Sequence, residues 1–178
     1  MNPYQFKQLV AYFEQIATSH YILQNSPTRK SFFRFEINEF LQALPSEINF
    51  PAMAMEENSW TLQDNNSDNV FKRRYCGFML MQKINDPGNF TEVSNAFDYL
   101  EEIADDIVAR MHKDKVSRRR PGEAPAETDP VAVVRHISFN TIETEPVGFS
   151  RFPSVVALRT TFEIETPFRA QYDPDKWL

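Results

Sequence analysis

The chain has 178 residues, 42 % of them apolar and 13 % aromatic, enough for one packed domain and too apolar for global disorder. Its formal charge of −6 argues against a broad phosphate-binding surface, and so against nucleic acid as a partner. A lone cysteine, Cys76, excludes an intrachain disulfide and a cysteine-based zinc site, and four scattered glycines leave no phosphate-cradling loop.

Phe6, Leu9, Val10, Phe13, Ile16 and Ala17 recur at three- and four-residue spacing, which predicts a first helix capped by Asn2 with Pro3 in its opening turn. A short strand is expected at Tyr21–Gln24, closed by the turn-prone Asn25-Ser26-Pro27. Alternation through Phe33, Phe35 and Ile37 predicts another strand, followed by a short helix from Asn38 to Leu44 that Pro45 ends. Phe50–Glu56 is apolar enough for a buried strand, with Pro51 at its start or on an edge, and Gln63–Asn69 is expected to be a polar loop.

Phe71–Ile84 predicts a long strand in the middle of the sheet, since both of its faces are apolar: Tyr75, Gly77, Met79 and Met81 on one, Cys76, Phe78 and Leu80 on the other. After a turn at Asp86-Pro87-Gly88, Asn89 and Glu92 have capping-box spacing. A continuous stripe from Val93 to Met111 then predicts a long amphipathic helix over Phe90–Lys113.

The charged, Pro-rich stretch 114–130 is expected to be a mobile arm outside the core. Strands are expected at Val131–Thr144 and Val155–Thr166, the second buried on one face, with a turn at Pro146-Val147-Gly148 between them. The whole predicts a single α+β domain over 1–178: a mainly antiparallel sheet with two principal helices packed on one face.

No constellation points to a reaction. Asp98, Glu101, Glu102, Asp105 and His112 share a side of the long helix at spacings that could meet a cation, but a solvated helix face makes the same pattern. His20, His112 and His136 fall on separate elements, and Ser31, Ser94 and Ser154 lack a nucleophile-elbow setting. Catalytic residues, metal and cofactor are therefore all assigned as none.

The candidate interface residues are Arg118, Arg119 and Arg120, a tethered basic cluster at the start of the arm, and Tyr172 and Trp177 in the C-terminal tail. Lys72-Arg73-Arg74 is a second local basic cluster. No apolar run approaches the ~20 residues a bilayer crossing needs, and no signal peptide opens the chain, so no membrane partner is expected.

The order of these elements resembles that of tail terminator and tail-completion proteins of bacteriophages and prophages. In that family a helix like Phe6–Ala17 precedes a strand like Phe50-Pro51-Ala52-Met53-Ala54-Met55-Glu56. A long strand like Tyr75–Ile84 follows, then a helix like Val93–Met111, a loop and closing strands ending in a form like Thr161-Phe162-Glu163-Ile164. The ending Phe162–Trp177 is also similar to the close of tail-associated proteins from Bacteroidetes prophages. The resemblance implies a non-enzymatic structural protein, in the host cytoplasm or the virion, that forms a ring and caps the tail tube. Its partners would be further copies of itself and tube or other virion proteins. The alternative is a cytosolic module that binds a protein partner through its sheet face or arm, and a third reading is an enzyme using the carboxylate and His face of the long helix.

Overall fold

The computed structural model of the chain describes residues 6–35, 48–64, 70–117, 130–148 and 154–168. Two helices, α1 (Phe6–Ser19) and α2 (Phe90–Val116), pack on one face of a six-stranded sheet. Its strands are β1 (Phe32–Phe35), β2 (Ala52–Glu56), β3 (Ser59–Asp64), β4 (Val70–Lys83), β5 (Ile137–Gly148) and β6 (Val155–Pro167). The order is β1-β2-β4-β6-β5, with β3 also pairing β4. Only β1 and β2 run parallel. This is the expected α+β architecture.

The long strand is the axis of the sheet. β4 pairs β6 along nearly its whole length, from Phe71↔Pro167 to Lys83↔Val155, and its other edge is shared by β2 and β3. Cys76, Phe78 and Leu80 point to the helices and join Leu9, Phe13, Leu100, Ile103 and Phe162 in the main core. Phe13 lies against both Phe78 and Phe162, with ring centroids 5.4 and 5.7 Å apart. On the opposite face Ala52, Ala54, Met79, Met81, Val155 and Ala157 form a second, smaller cluster. The first four residues of β6 are consequently buried on both faces, where one buried face was expected, and alternation begins only at Arg159.

The long helix starts as its cap residue dictates: the Asn89 side chain accepts from the N–H groups of Thr91 and Glu92. Glu92 does not close a capping box on Asn89. Its carboxylate accepts instead from Asn85 and Asp86 N–H, and these bonds lower its pKa. The helix runs to Val116, three residues past the expected end, and Asp114 is buried in it. There its carboxylate accepts from the Tyr12 hydroxyl at 2.9 Å and from Arg110 Nε at 2.8 Å, so the last turn of α2 is tied to α1. Residues 114–116 therefore belong to the folded body, and 118–129 of the expected arm lie outside the described residues.

Other expectations are corrected. Tyr21–Gln24 is no strand: the chain leaves α1 in a turn in which Gln24 N donates to His20 O and Asn25 N to Ala17 O. Gln24 takes a positive φ of 47°, and Arg29 binds the carbonyls of Ile22 and Leu23. Gln63 and Asp64 lie in β3, an element the sequence reading passes over, and not in a loop. Pro130–His136 is a 3₁₀ helix that buries Val133 and Val134, so His136 precedes β5. β5 continues to Gly148, which places Pro146-Val147-Gly148 in the strand. The short helix expected at Asn38–Leu44 lies outside the described residues.

Candidate interaction surface

The two strands beside β4 behave as one broken strand. Between the pairs Met55↔Phe78 and Ser59↔Tyr75, three residues (Glu56, Glu57, Asn58) stand against two (Cys76, Gly77), the one-residue excess of a β-bulge. Up to the bulge the strand is β2, all five residues buried; past it the strand is β3, with all but Gln63 exposed. β3 and the first half of β4 form a hairpin at the end of the sheet.

That end gathers apolar surface. Eight large hydrophobic side chains are exposed among the described residues, and five of them, Trp60, Leu62, Phe71, Tyr75 and Phe168, lie here. Phe168 belongs to the group because its N–H donates to Val70 O. By register Trp60 and Leu62 share the face of Lys72 and Arg74, while Phe71 and Tyr75 share the opposite face with Arg73. Trp60 leaves 54 % of its surface in water, the position of a side chain that has no core to enter.

The basic cluster read along the sequence is dispersed by the same alternation. Lys72 Nζ sits 3.6 Å from the centre of the Trp60 ring, and burial, then the charge of Arg74, lower its pKa. Arg73 turns the other way, to Glu165 at 2.6 Å and Glu163 at 3.3 Å. Arg74 is buried and donates to Thr166 Oγ1 at 2.7 Å. No continuous basic patch results.

Next to the hairpin, on the side away from the helices, lies an open groove of ≈ 510 Å³. It exists because β5 bulges: Phe139, Asn140, Thr141 and Ile142 stand opposite the single residue Phe162. The Thr141 hydroxyl fills the gap in the ladder, donating to Ser138 O and accepting from Glu163 N–H. Phe139 and Ile142 pack against the main core, while Asn140, Thr141 and Glu143 line the groove with Glu56, Glu57, Tyr75, Arg159 and Glu163.

Glu56 and Arg159 form a two-pronged pair at 2.7 and 2.9 Å, and the Glu56 bond raises the pKa of Arg159. The carboxylate passes over Gly77, where an added Cβ would meet Glu56 Oε2 at 3.2 Å and Thr160 O at 3.1 Å. A side chain at position 77 would crowd both groups, which would have to give by a few tenths of an ångström. The groove offers carboxylate and hydroxyl acceptors around one fixed cation.

The carboxylates Asp98, Glu101, Glu102 and Asp105 and His112 stand exposed on the outer side of α2. His112 meets the edge of Phe139. Cys76 is a buried thiol. His20, directly after the end of α1, stacks on Tyr21 and sets Nε2 3.4 Å from Asp106 of α2. Among the described residues no group of three or more His, Cys, Asp or Glu is arranged to hold a metal ion, and no helix is long and apolar enough to cross a membrane.

The expected interface residues Arg118, Arg119, Arg120, Tyr172 and Trp177 all lie outside the described residues. What the reading missed is the hairpin, although a signal was present: Trp60-Thr61-Leu62-Gln63 alternates, and an Asn-rich stretch separates it from Phe71. Compared with known proteins, the chain matches no family model and no curated sequence.

Proposed function

We propose that this chain is a non-enzymatic structural protein that works by assembling with other protein subunits, as the resemblance to phage tail terminators implies for a ring that caps a tail tube. The observation that carries this reading is the sheet end at which Trp60, Leu62, Phe71, Tyr75 and Phe168 are exposed together. Trp and Tyr are favoured anchors at protein interfaces, because they cover a large area at little cost in rotamer entropy. On this reading the protein stays in the host cytoplasm until it joins a virion, and its partners are further copies and tube components.

The test is the mass in solution by light scattering over a concentration series, at low and moderate salt. Species several times the 20.8 kDa chain, growing with concentration, are the expected result. A chain that stays at 20.8 kDa throughout would shift the reading to the alternative, a module whose partner is a different protein.

A further inference from the structure

Resting on the assembly reading above, we propose that β3 is a self-pairing edge: two copies of the chain join their β3 strands antiparallel about a two-fold axis through Thr61, continuing the sheet from one copy into the other.

An open strand edge presents unpaired N–H and C=O groups, and proteins that remain monomeric blunt such edges with Lys, Pro, bulges or inward charges. Among the described residues β3 is paired only by β4. Its sequence, Ser-Trp-Thr-Leu-Gln-Asp, holds no Lys and no Pro, and its one charge, Asp64, is at the end. The bulge at Glu56–Asn58 lies before the strand and leaves its six residues regular.

The opposite edge of the sheet is the contrast. β5 is interrupted by its bulge and carries Glu143, Glu145 and Pro146, the features that discourage pairing. A head-to-tail joint of β3 to β5 would set Trp60 and Leu62 against that charged strand. Pairing of β3 with a second β3 is selected instead.

The register follows from matching side chains. With Thr61 opposite Thr61 of the second copy, Trp60 lies opposite Leu62 of the second copy, and Leu62 opposite its Trp60. This makes two aromatic–aliphatic pairs on one face, flanking a Thr–Thr pair on the other. Asp64 then faces Asn58 of the second copy, so no like charges oppose each other. A shift of one residue puts Trp60 opposite Gln63 or Thr61 and loses both apolar pairs. Such an isologous contact closes at two copies, so a ring would need a second, heterologous surface besides it.

The experiment uses the full chain and its variants Leu62→Lys, Thr61→Cys, Ser59→Cys and, as an exposed control remote from β3, Phe90→Ser. Mass is read by light scattering, fold by far-UV circular dichroism, and cross-linking by non-reducing electrophoresis after mild oxidation. Cys76, buried, serves as the silent background. The expected results are species of at least twice the chain mass, association weakened at least about tenfold by Leu62→Lys but not by Phe90→Ser, and a disulfide dimer from Thr61→Cys but not Ser59→Cys. Only residue 61 meets its own copy at a separation a disulfide can bridge. Association that survives Leu62→Lys without a Thr61→Cys cross-link overturns the β3 joint and leaves the assembly reading standing on another surface. A wild-type chain that stays monomeric, with no cross-link from Thr61→Cys, overturns both.

Discussion

The two halves of β4 have similar strand-forming sequences and opposite surroundings. Residues 76–81 are buried on both faces, between the helices on one side and the alanine–methionine cluster on the other. A few residues earlier, Phe71 and Tyr75 of the same strand are exposed. An aromatic side chain therefore stabilises the fold at Phe78 and is a surface for others at Tyr75. Neither residue type nor strand propensity separates the two; the layers that happen to cover each half do.

The comparison can be broken most directly by truncating one ring in each half. Phe78→Ala should cost about 3–5 kcal/mol, since it removes a fully buried ring that contacts Phe13. Tyr75→Ala, in the exposed half, should cost no more than about 1 kcal/mol. Urea unfolding of both variants is the check, and equal losses would show that the hairpin is packed as tightly as the centre.

A smaller effect probes the boundary between the halves. Removing the carboxylate in Glu56→Ala leaves Arg159 without its main partner. The expected loss is about 1–3 kcal/mol, below that of a fully buried pair. The discount applies because the Arg159 side chain keeps 32 % of its surface in water. The double change Glu56→Gln with Arg159→Met should recover most of that loss, because no uncompensated charge remains. A double variant as unstable as Glu56→Ala would mean that the pair itself stabilises the bulge.

The smallest expected effect is a pH dependence on the helix side. Burial lowers the pKa of His136, a backbone hydrogen bond involving Glu165 works the other way, and Arg135, Arg74 and Lys115 add to the lowering. Below the ordinary imidazole value of about 6.5 the unfolded chain takes up a proton that the folded chain refuses. This contribution to stability is present above that value and is lost as pH falls through the depressed folded value. Melting curves between about pH 7 and pH 5.5 should show a shallower decline for His136→Gln than for wild type. Parallel declines would show that His136 is accessible in the fold.

Much of this was legible along the chain. The stripe through α2, the two apolar faces of β4 and the Asn89 cap are local patterns, and local patterns suffice where an element's own period sets its buried side. The 3₁₀ segment was misread because Val133 and Val134 are β-formers in isolation, but they are drawn into the space beside α1 and α2. The hairpin was missed because β3 buries little of itself, so its alternation lacks the strong contrast of a core strand.

Composition, period and capping determined by themselves that the chain folds as helices on a mainly antiparallel sheet with β4 at its centre, since each of those properties acts over neighbouring residues. Only the tertiary structure decided that β3 pairs with β4 alone among the described strands, that Glu56 crosses Gly77 to meet Arg159, and that Lys72, Arg73 and Arg74 are divided between two faces. Those outcomes depend on register between strands far apart in sequence: a single extra residue, at Glu56–Asn58 against Cys76–Gly77, moves everything after it relative to its neighbour.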